Sequence, residues 1–462
     1  MKFISKTFKL LPLLFVVFTF NACSDDDDAT PPVILDPNIV EIAATNAELT
    51  TLVTALQLAD GDLDDLLTQD GPFTVLAPTN QAFADLLNSN PNWTDLTDIP
   101  SDVLEQVLLN HVISADLTAA DLGAATSPYA STNAAGPVAD TFLSIYFDTS
   151  SGVTFNGVSS VIDGGADIDA SNGTIHIVDA VIGLPNIVTH ATANPGLSSL
   201  AGALTDEGLV ATLEGDGPFT VFAPDNDAFT AFTNPNSNAL DNILLNHVIG
   251  ATALSTGLSS GYVNTAATNA DDDALSLYIN TGDGVVLNGG SSVTTADIIA
   301  TNGVIHVVSD VIDLPTVVDH AIANPGLSSL VAALTEADAS DTDPMLIPTL
   351  SGDGPFTVFA PLNDAFTAFL DGADLPSVDD ATLNSVLLHH VLNGNIVAAD
   401  LTDGAMPMTL EGDTITINLQ DTPPTITDGS GDTNAEIVLT DVQGINGVVH
   451  AINAVLVPDT SN

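Results

Sequence analysis

The histidines have the widest chemical repertoire in this chain, since Lys2, Lys6 and Lys9 are its only lysine or arginine residues. Six of the nine histidines recur in two sequence contexts, at intervals of about 140 residues. The central histidines end an apolar helical pattern and are His111, His247 and His390. The closing-strand histidines alternate with apolar residues and are His176, His306 and His450. Such rings can bind zinc, exchange protons or hydrogen-bond within a core.

The spacing of these histidines favours a structural role over zinc binding. Zinc requires three or four ligands, and no third ligand recurs at a suitable spacing. The pair His389-His390 occurs once, and adjacent residues on a helix point in different directions. A protonated central histidine would face the negative end of its helix dipole. We predict that the six recurring rings are core residues that hydrogen-bond the backbone, with no metal or catalytic site.

Calcium is a more plausible ion than zinc, because acidic loops are frequent. The run Asp60 to Asp65 has carboxylates at alternate positions, as an EF-hand loop does. However, Asp65 occupies the position of the turn glycine, and Gly71 occupies that of the final glutamate. The runs 163–169 and 271–273 are similar. We therefore expect weak Ca²⁺ binding at several places and no dedicated cofactor.

A single catalytic pattern occurs, the G-x-S-x-G match at residues 257–261. A nucleophile elbow needs a strand before it and a helix after it. Here the match lies in a Ser/Gly/Thr-rich loop, and the related stretch 119–123 has no serine. We attribute the match to chance and predict that the protein is not an enzyme.

Charge excludes several classes of partner. The chain carries 60 acidic residues and a formal net charge of −57. Because the three lysines all precede Cys23, the chain from Cys23 onward has no Lys or Arg to neutralise phosphates. Nucleic acid is therefore excluded as a partner, and anionic lipid head groups would be repelled.

The N-terminus predicts export and lipid anchoring. Residues 1–22 have the pattern of a signal peptide: lysines, then an apolar stretch, then small residues before Cys23. The apolar stretch is too short to span a bilayer. Cys23 is the chain's one cysteine and resembles the lipidated residue of bacterial lipoproteins. The acidic stretch that follows it predicts a tether over residues 23–37. We expect a protein that is anchored by lipid at Cys23 in the outer membrane and exposed at the surface.

Three internal copies of one unit follow this leader. The stretch "GDGPFTVFAP" at 215–224 recurs at 352–361 and, as "QDGPFTVLAP", at 69–78. Two further motifs recur in the same order: "LLNHV" or "LLHHV" around the central histidines, and "NGxxHxx" around the closing-strand histidines. A period of this length predicts three self-contained domains rather than a solenoid. Each unit begins with helical patterns and ends with strand patterns, which predicts an α+β fold.

The three motifs in this order resemble the fasciclin domain over residues 38 to 458. The resemblance implies domains at 38–185, 186–315 and 316–458, each a wedge-shaped β-sandwich with flanking helices. It also implies a non-catalytic role in adhesion or matrix contact. The expected partners are cell-surface or matrix polysaccharide or protein, and further copies of the chain. The alternative is a carbohydrate-binding or nutrient-capturing surface lipoprotein.

The chain departs from the family at the residue before each central histidine. Family members usually have tyrosine there, whereas this chain has Asn110, Asn246 and His389. The repeated Gly-Pro-Phe-Thr-Val segment is predicted to be a buried strand. Val221 and Ala223 should point to one side of it and Phe222 to the other, since side chains alternate along a strand.

Overall fold

Three copies of one α+β arrangement follow each other in the computed structural model, which describes residues 36–339 and 345–459. Cys23, with the predicted signal peptide and all but the end of the tether, lies outside the described residues. The residues from Pro37 onward form one compact unit, so neighbouring domains are in direct contact. In each domain, helices pack on a curled mixed sheet, which confirms the predicted fold class.

Domain 1 begins with three helices before its first strand. Its helices are α1 Ile39–Thr45, α2 Thr50–Leu58, α3 Leu63–Leu67, α4 Asn80–Ser89, α5 Ser101–Leu109 and α6 Ala119–Ala124. Its strands are β1 Phe73–Pro78, β2 Val112–Ile113, β3 Tyr129–Ala135, β4 Phe142–Asp148, β5 Thr154–Phe155, β6 Ser159–Ser160, β7 Ile168–Ala170 and β8 Gly173–Val178. The strand order across the sheet is β6-β5-β4-β3-β2-β1-β8-β7.

Domain 2 repeats this plan with seven strands. Its helices are α7 Ile187–Ala193, α8 Ser198–Asp206, α9 Val210–Leu213, α10 Asn226–Ala231 and α11 Leu240–Leu245. Its strands are β9 Phe219–Pro224, β10 Val248–Ile249, β11 Gly261–Thr268, β12 Ala274–Asn280, β13 Val286–Leu287, β14 Ser291–Ala300 and β15 Gly303–Val308. They are ordered β10-β9-β15-β14-β13-β12-β11.

Domain 3 has the smallest sheet. Its helices are α12 Val317–Ala323, α13 Ser328–Asp338, α14 Leu346–Leu350, α15 Asn363–Leu370 and α16 Asp380–Leu388. Its strands are β16 Phe356–Pro361, β17 Val391–Asn393, β18 Thr416–Asn418, β19 Thr425–Thr427, β20 Ala435–Gly444 and β21 Gly447–Ile452. They are ordered β17-β16-β21-β20-β19-β18.

The repeated Gly-Pro-Phe-Thr-Val segment is the central strand of each domain: β1, β9 and β16. It runs parallel to the last long strand of its domain. In β9, Val221 and Ala223 join the apolar cluster beneath the helices, while Phe222 joins a second cluster on the opposite face. The strand is thus covered on both sides, as its near-continuous apolar sequence predicts. Pro224 still pairs with Val308, so the strand continues through the proline instead of ending before it.

The central histidines do not lie on helices, which corrects the sequence-based expectation. The helix α11 ends at Leu245, Asn246 is its C-terminal cap, and His247 leads directly into β10. The same sequence of cap, histidine and short strand follows α5 and α16. The apolar period continues past the helix end because the short strand is itself buried.

Candidate functional site

The central histidines are buried and hydrogen-bonded at both ring nitrogens. Nδ1 of His247 donates to the carbonyl of Ile243 at 2.8 Å, and Nε2 accepts from the amide of Ile312 at 2.9 Å. His111 and His390 make the equivalent pairs of bonds. Since one nitrogen must accept, these rings are neutral, and burial lowers the pKa of each to about 4. The rings thus hydrogen-bond the backbone from within the core, as predicted.

The closing-strand histidines connect their strand to a neighbouring loop. Nε2 of His306 donates to the carbonyl of Ala253 at 2.9 Å, and Nδ1 accepts from the amide of Asp297 at 3.2 Å. His176 and His450 do the same with the equivalent backbone groups. Burial lowers the pKa of His306 and His450. With both nitrogens used, the six recurring rings have no lone pair free for a metal.

The asparagine of the Asn-Gly turn before the last long strand is a hydrogen-bonding node, since its side chain makes three hydrogen bonds to the backbone. The side chain of Asn302 accepts from the amide of Ile187 at 3.0 Å and donates to the carbonyls of Leu213 and Gly215. Asn172 and Asn446 make the same three bonds in their domains. The node thus joins the start of one helix, the end of another and the strand.

Two aromatic clusters join consecutive domains. The joint histidines, His190 and His320, are fully buried and lie in the opening helices α7 and α12. The ring of His190 is 5.7 Å from that of Tyr129 in the preceding domain, and His320 is 5.6 Å from Tyr262. The hydroxyl of Tyr262 donates to the backbone carbonyl of His320 at 3.1 Å. Burial lowers the pKa of both joint histidines to about 4.

The same backbone contact recurs at both joints. A serine hydroxyl of one domain accepts from a backbone amide of the next, at 3.0 Å from Ser144 to Ile299 and 2.9 Å from Ser276 to Gln443. Sequence reasoning missed these joints. The available signal was the placement of the four tyrosines, in pairs, in the first two of the three units.

The predicted acidic loops differ in their surroundings. Asp271 and Asp273 accept hydrogen bonds from the side chain of Asn395 in domain 3, so this loop belongs to the second joint. Asp60 accepts from the hydroxyl of Ser101 in the loop that most resembles an EF-hand. Within residues 36–339 and 345–459, the one grouping of three metal-type ligands is elsewhere, at His389, Glu411 and Asp413.

The G-x-S-x-G match does not form a nucleophile elbow. It runs from a 3₁₀ turn, Ser255–Gly257, into the strand β11, and so lacks the required strand-to-helix order. The serine at the nucleophile position, Ser259, is exposed and stands two residues before the strand β11.

A cleft in domain 1 is large enough for a small ligand. It has a volume of about 510 Å³ and is lined by Leu66, Leu109, Ile113, Ser114, Ala115, Leu117, Ala130, Ser131, Thr132, Asn133 and Phe142. Phe142 is 49% exposed at its rim, and the hydroxyl of Ser114 donates to Asn133 at 2.7 Å. An aromatic face beside hydroxyl and amide groups can bind a polar ring-shaped molecule.

Within the described ranges, no individual helix combines the length and apolar character needed to cross a membrane. Two sharply bent helix pairs satisfy the length and composition test jointly, at the start of domain 1 and of domain 3.

The fold and the repeated motifs define a tandem array of three similar, non-identical α+β domains. A fasciclin domain model matches residues 47–185, 195–315 and 325–458. The chain therefore belongs to the fasciclin domain family, and each matched stretch lies within one predicted domain.

Relatives in animals and bacteria support this assignment. The chain is 27% identical to transforming growth factor-beta-induced protein ig-h3 of Sus scrofa, over 74% of this chain and 48% of that protein. It is 31% identical to human periostin, over 54% of this chain and 29% of that protein. Protein sll1483 of Synechocystis sp. is 37% identical over 31% of this chain and 73% of its own length. The chain thus spans less than half of the two animal proteins.

One solved structure that is similar to this chain also contains fasciclin domains. It is a FAS1 domain pair from the insect cell adhesion molecule Fasciclin I, 21% identical. The match has a TM-score of 0.36 and covers 58% of this chain and 98% of that one.

Proposed function

We propose that the protein is a surface lipoprotein that mediates adhesion or extracellular-matrix contact through its three fasciclin domains, without catalysis. The observation that carries this proposal is the fusion of three domains into one compact unit. Such an array presents three related surfaces at fixed separations. Weak contacts then add up, because each bound domain raises the effective concentration of the next.

The repeated residues leave the outer surface free for recognition. The motif histidines, asparagines and strand residues are buried and bonded internally, so they hold the domains together rather than contacting a ligand. The surface is acidic and has no Lys or Arg from Cys23 onward. Partners therefore include neutral or acidic polysaccharide bridged by Ca²⁺, cationic protein surfaces, and other copies bridged by the same ion.

The proposed location rests on the sequence of the leader. Acylation at Cys23 would anchor the array in the outer membrane, and the acidic tether up to residue 37 would hold it away from the bilayer. Many anchored copies on one cell would multiply the weak contacts of each array.

A bead-aggregation assay tests adhesion. Beads coated with residues 24–462 should clump in millimolar Ca²⁺ and disperse when the ion is chelated. Beads coated to the same charge density with an unrelated acidic protein control for simple ion bridging. Equal clumping of both bead types would contradict a fasciclin-specific contact.

The cleft in domain 1 supports the alternative, a carbohydrate-binding or nutrient-capturing lipoprotein. Binding to a glycan array by dispersed, non-clumping protein would favour this alternative. The variant Phe142→Ala should then reduce glycan binding, because it removes the aromatic rim. Unchanged binding by that variant would place the glycan elsewhere.

A further inference from the structure

Domain 3 has a histidine where the other two domains have asparagine. The amides of Asn110 and Asn246 donate to backbone carbonyls at 3.0 Å and accept from threonine hydroxyls at 3.3 and 3.1 Å. His389 occupies the same helix-capping position and is fully buried. Its ring therefore replaces a side-chain amide that is hydrogen-bonded through both its nitrogen and its oxygen in the other domains.

One nitrogen of His389 lacks a contact of ordinary hydrogen-bond length. Nε2 accepts from the amide of Gly429 at 3.2 Å. The polar contacts of Nδ1 are Thr409 Oγ1 and Glu411 Oε2, both at 3.5 Å. By contrast, Nδ1 of the adjacent His390 is 2.7 Å from its carbonyl partner. A gap of 3.5 Å is too long for a strong hydrogen bond.

Two carboxylates lie beside the ring of His389 and are held in place by backbone amides. The ligand atoms of His389, Glu411 and Asp413 all lie within 4.8 Å of one another. Glu411 Oε2 accepts from the amide of Asp413 at 3.1 Å. Asp413 accepts from the amides of Thr414 and Asp459 at 2.8 and 2.9 Å. Such outer contacts orient carboxylates for a metal ion.

The nearby charges are uncompensated. Asp428 also acts on His389, but its oxygens accept from the amides of Val457 and Asp432 and the hydroxyl of Ser430. Since every Lys lies at residue 2, 6 or 9, no Lys or Arg in the described ranges can balance these acids. A proton, on the ring or on a carboxyl group, or a bound cation can do so.

We propose that Nδ1 of His389, Glu411 and Asp413 bind a divalent transition-metal ion of the zinc type, with water completing the coordination. Two ligands at about 2.1 Å from a tetrahedral zinc ion are about 3.4 Å apart, close to the 3.5 Å between Nδ1 and Glu411 Oε2. An imidazole nitrogen in the set favours zinc-like ions over Ca²⁺, which prefers oxygen ligands.

Metal binding has a consequence for the ring proton. In the structure Nε2 accepts from Gly429, so Nδ1 carries the proton. When the metal binds Nδ1, this proton moves to Nε2, and the amide of Gly429 must turn away. The site is independent of the proposed adhesive function, because its ligands are buried or half-buried in one domain.

Calorimetric titration of Zn²⁺ into residues 24–462 tests the site. We expect one tight site per chain above a background of weak surface binding. The variant His389→Asn introduces the residue of the other two domains and should weaken the tight site by about 100-fold or more, since it removes a direct ligand. Glu411→Gln should also weaken it. The matched control Asp64→Asn changes an exposed acidic residue in the first turn of α3 in domain 1 and should leave the tight site intact.

Two results would overturn the proposal. One is the same weak isotherm for wild type and His389→Asn, which would mean that surface charge alone holds zinc. The other is tight binding that persists in both His389→Asn and Glu411→Gln. Circular dichroism checks the folding of each variant, and Glu411→Gln decides the question if His389→Asn does not fold. In the wild type, the amide resonance of Gly429 should shift on addition of zinc and should not shift with Ca²⁺.

Discussion

Domains 1 and 2 differ from domain 3 on one face of the sheet, which β3 and β4 form in domain 1 and β11 and β12 form in domain 2. In the first two domains this face carries a tyrosine pair, with ring centroids 5.3 Å apart in Tyr129–Tyr146 and 4.8 Å in Tyr262–Tyr278. One tyrosine of each pair, Tyr129 or Tyr262, packs on the histidine of the next domain. The third unit contains no tyrosine. Its Met406 stands three residues before Thr409, as Tyr262 stands before Thr265, and is 64% exposed.

This difference separates two kinds of repeated residue. Residues that build the interior recur in all three domains, because every domain needs the same core. Residues that join domains recur at the two joints that the structure describes. The opening helix of domain 1, the first of the three matched stretches, has Ile42 where the next two have His190 and His320. Repeats thus diverge where their neighbours differ.

The largest expected effect is on the free energy of unfolding when a core residue is removed. The loss should be similar in domains 2 and 3. Phe222 and Phe359 are fully buried at the same position of the central strand. Replacing either by alanine should lower the free energy of unfolding by about 3–5 kcal/mol, through lost burial and a cavity. Urea unfolding of both variants measures this loss. A loss in one domain and none in the other would break the structural equivalence of the repeats.

A smaller effect is expected from acidification. The folded-state pKa of the joint histidines is about 4, below the ordinary 6.5, so the unfolded chain binds more protons between these values. Stability should therefore fall as the pH drops from 6.5 towards 4, by about 2 kcal/mol per ring at pH 5.

The variant His190→Ile isolates the contribution of one joint. It introduces the residue that domain 1 carries, and its stability should fall less between pH 7 and pH 5 than that of the wild type. The measurement is a pair of urea titrations at the two pH values. The central histidines remain in this variant and serve as an internal reference. An unchanged pH dependence would show that the joint histidine does not titrate as its burial implies.

The smallest effect compares the second joint with the face of domain 3 that carries Met406. Tyr262→Phe removes the hydrogen bond from the Tyr262 hydroxyl to the carbonyl of His320 at the second joint and should cost about 0.5–1.5 kcal/mol. Met406→Ala changes an exposed side chain and should stay within about 0.5 kcal/mol of the wild type. Thermal unfolding of both variants makes the comparison. A greater loss in Met406→Ala would indicate that this face has a partner.

The interior of each domain could be read from sequence, whereas the joints could not. Alternation in the Gly-Pro-Phe-Thr-Val strand and the repeated motifs predicted the buried strand and the fasciclin fold. The ends of the helices were harder to predict from the sequence, because apolar periodicity continues from α11 through His247 into β10. The cluster at His389 was missed because Glu411 and Asp413 lie more than 20 residues away and reach the ring only through folding. The lipid anchor at Cys23 remains a prediction.

The parallel pairing of first and last long strands has a consequence for synthesis. In domain 1, Phe73 pairs with Gly173, so the sheet cannot close until nearly the whole domain has been made. A nascent domain must therefore wait with an exposed apolar strand, and its folding is expected to be slow for its size. Release of a chain that stops short of the final strand would leave that strand's apolar neighbours without cover and prone to aggregation.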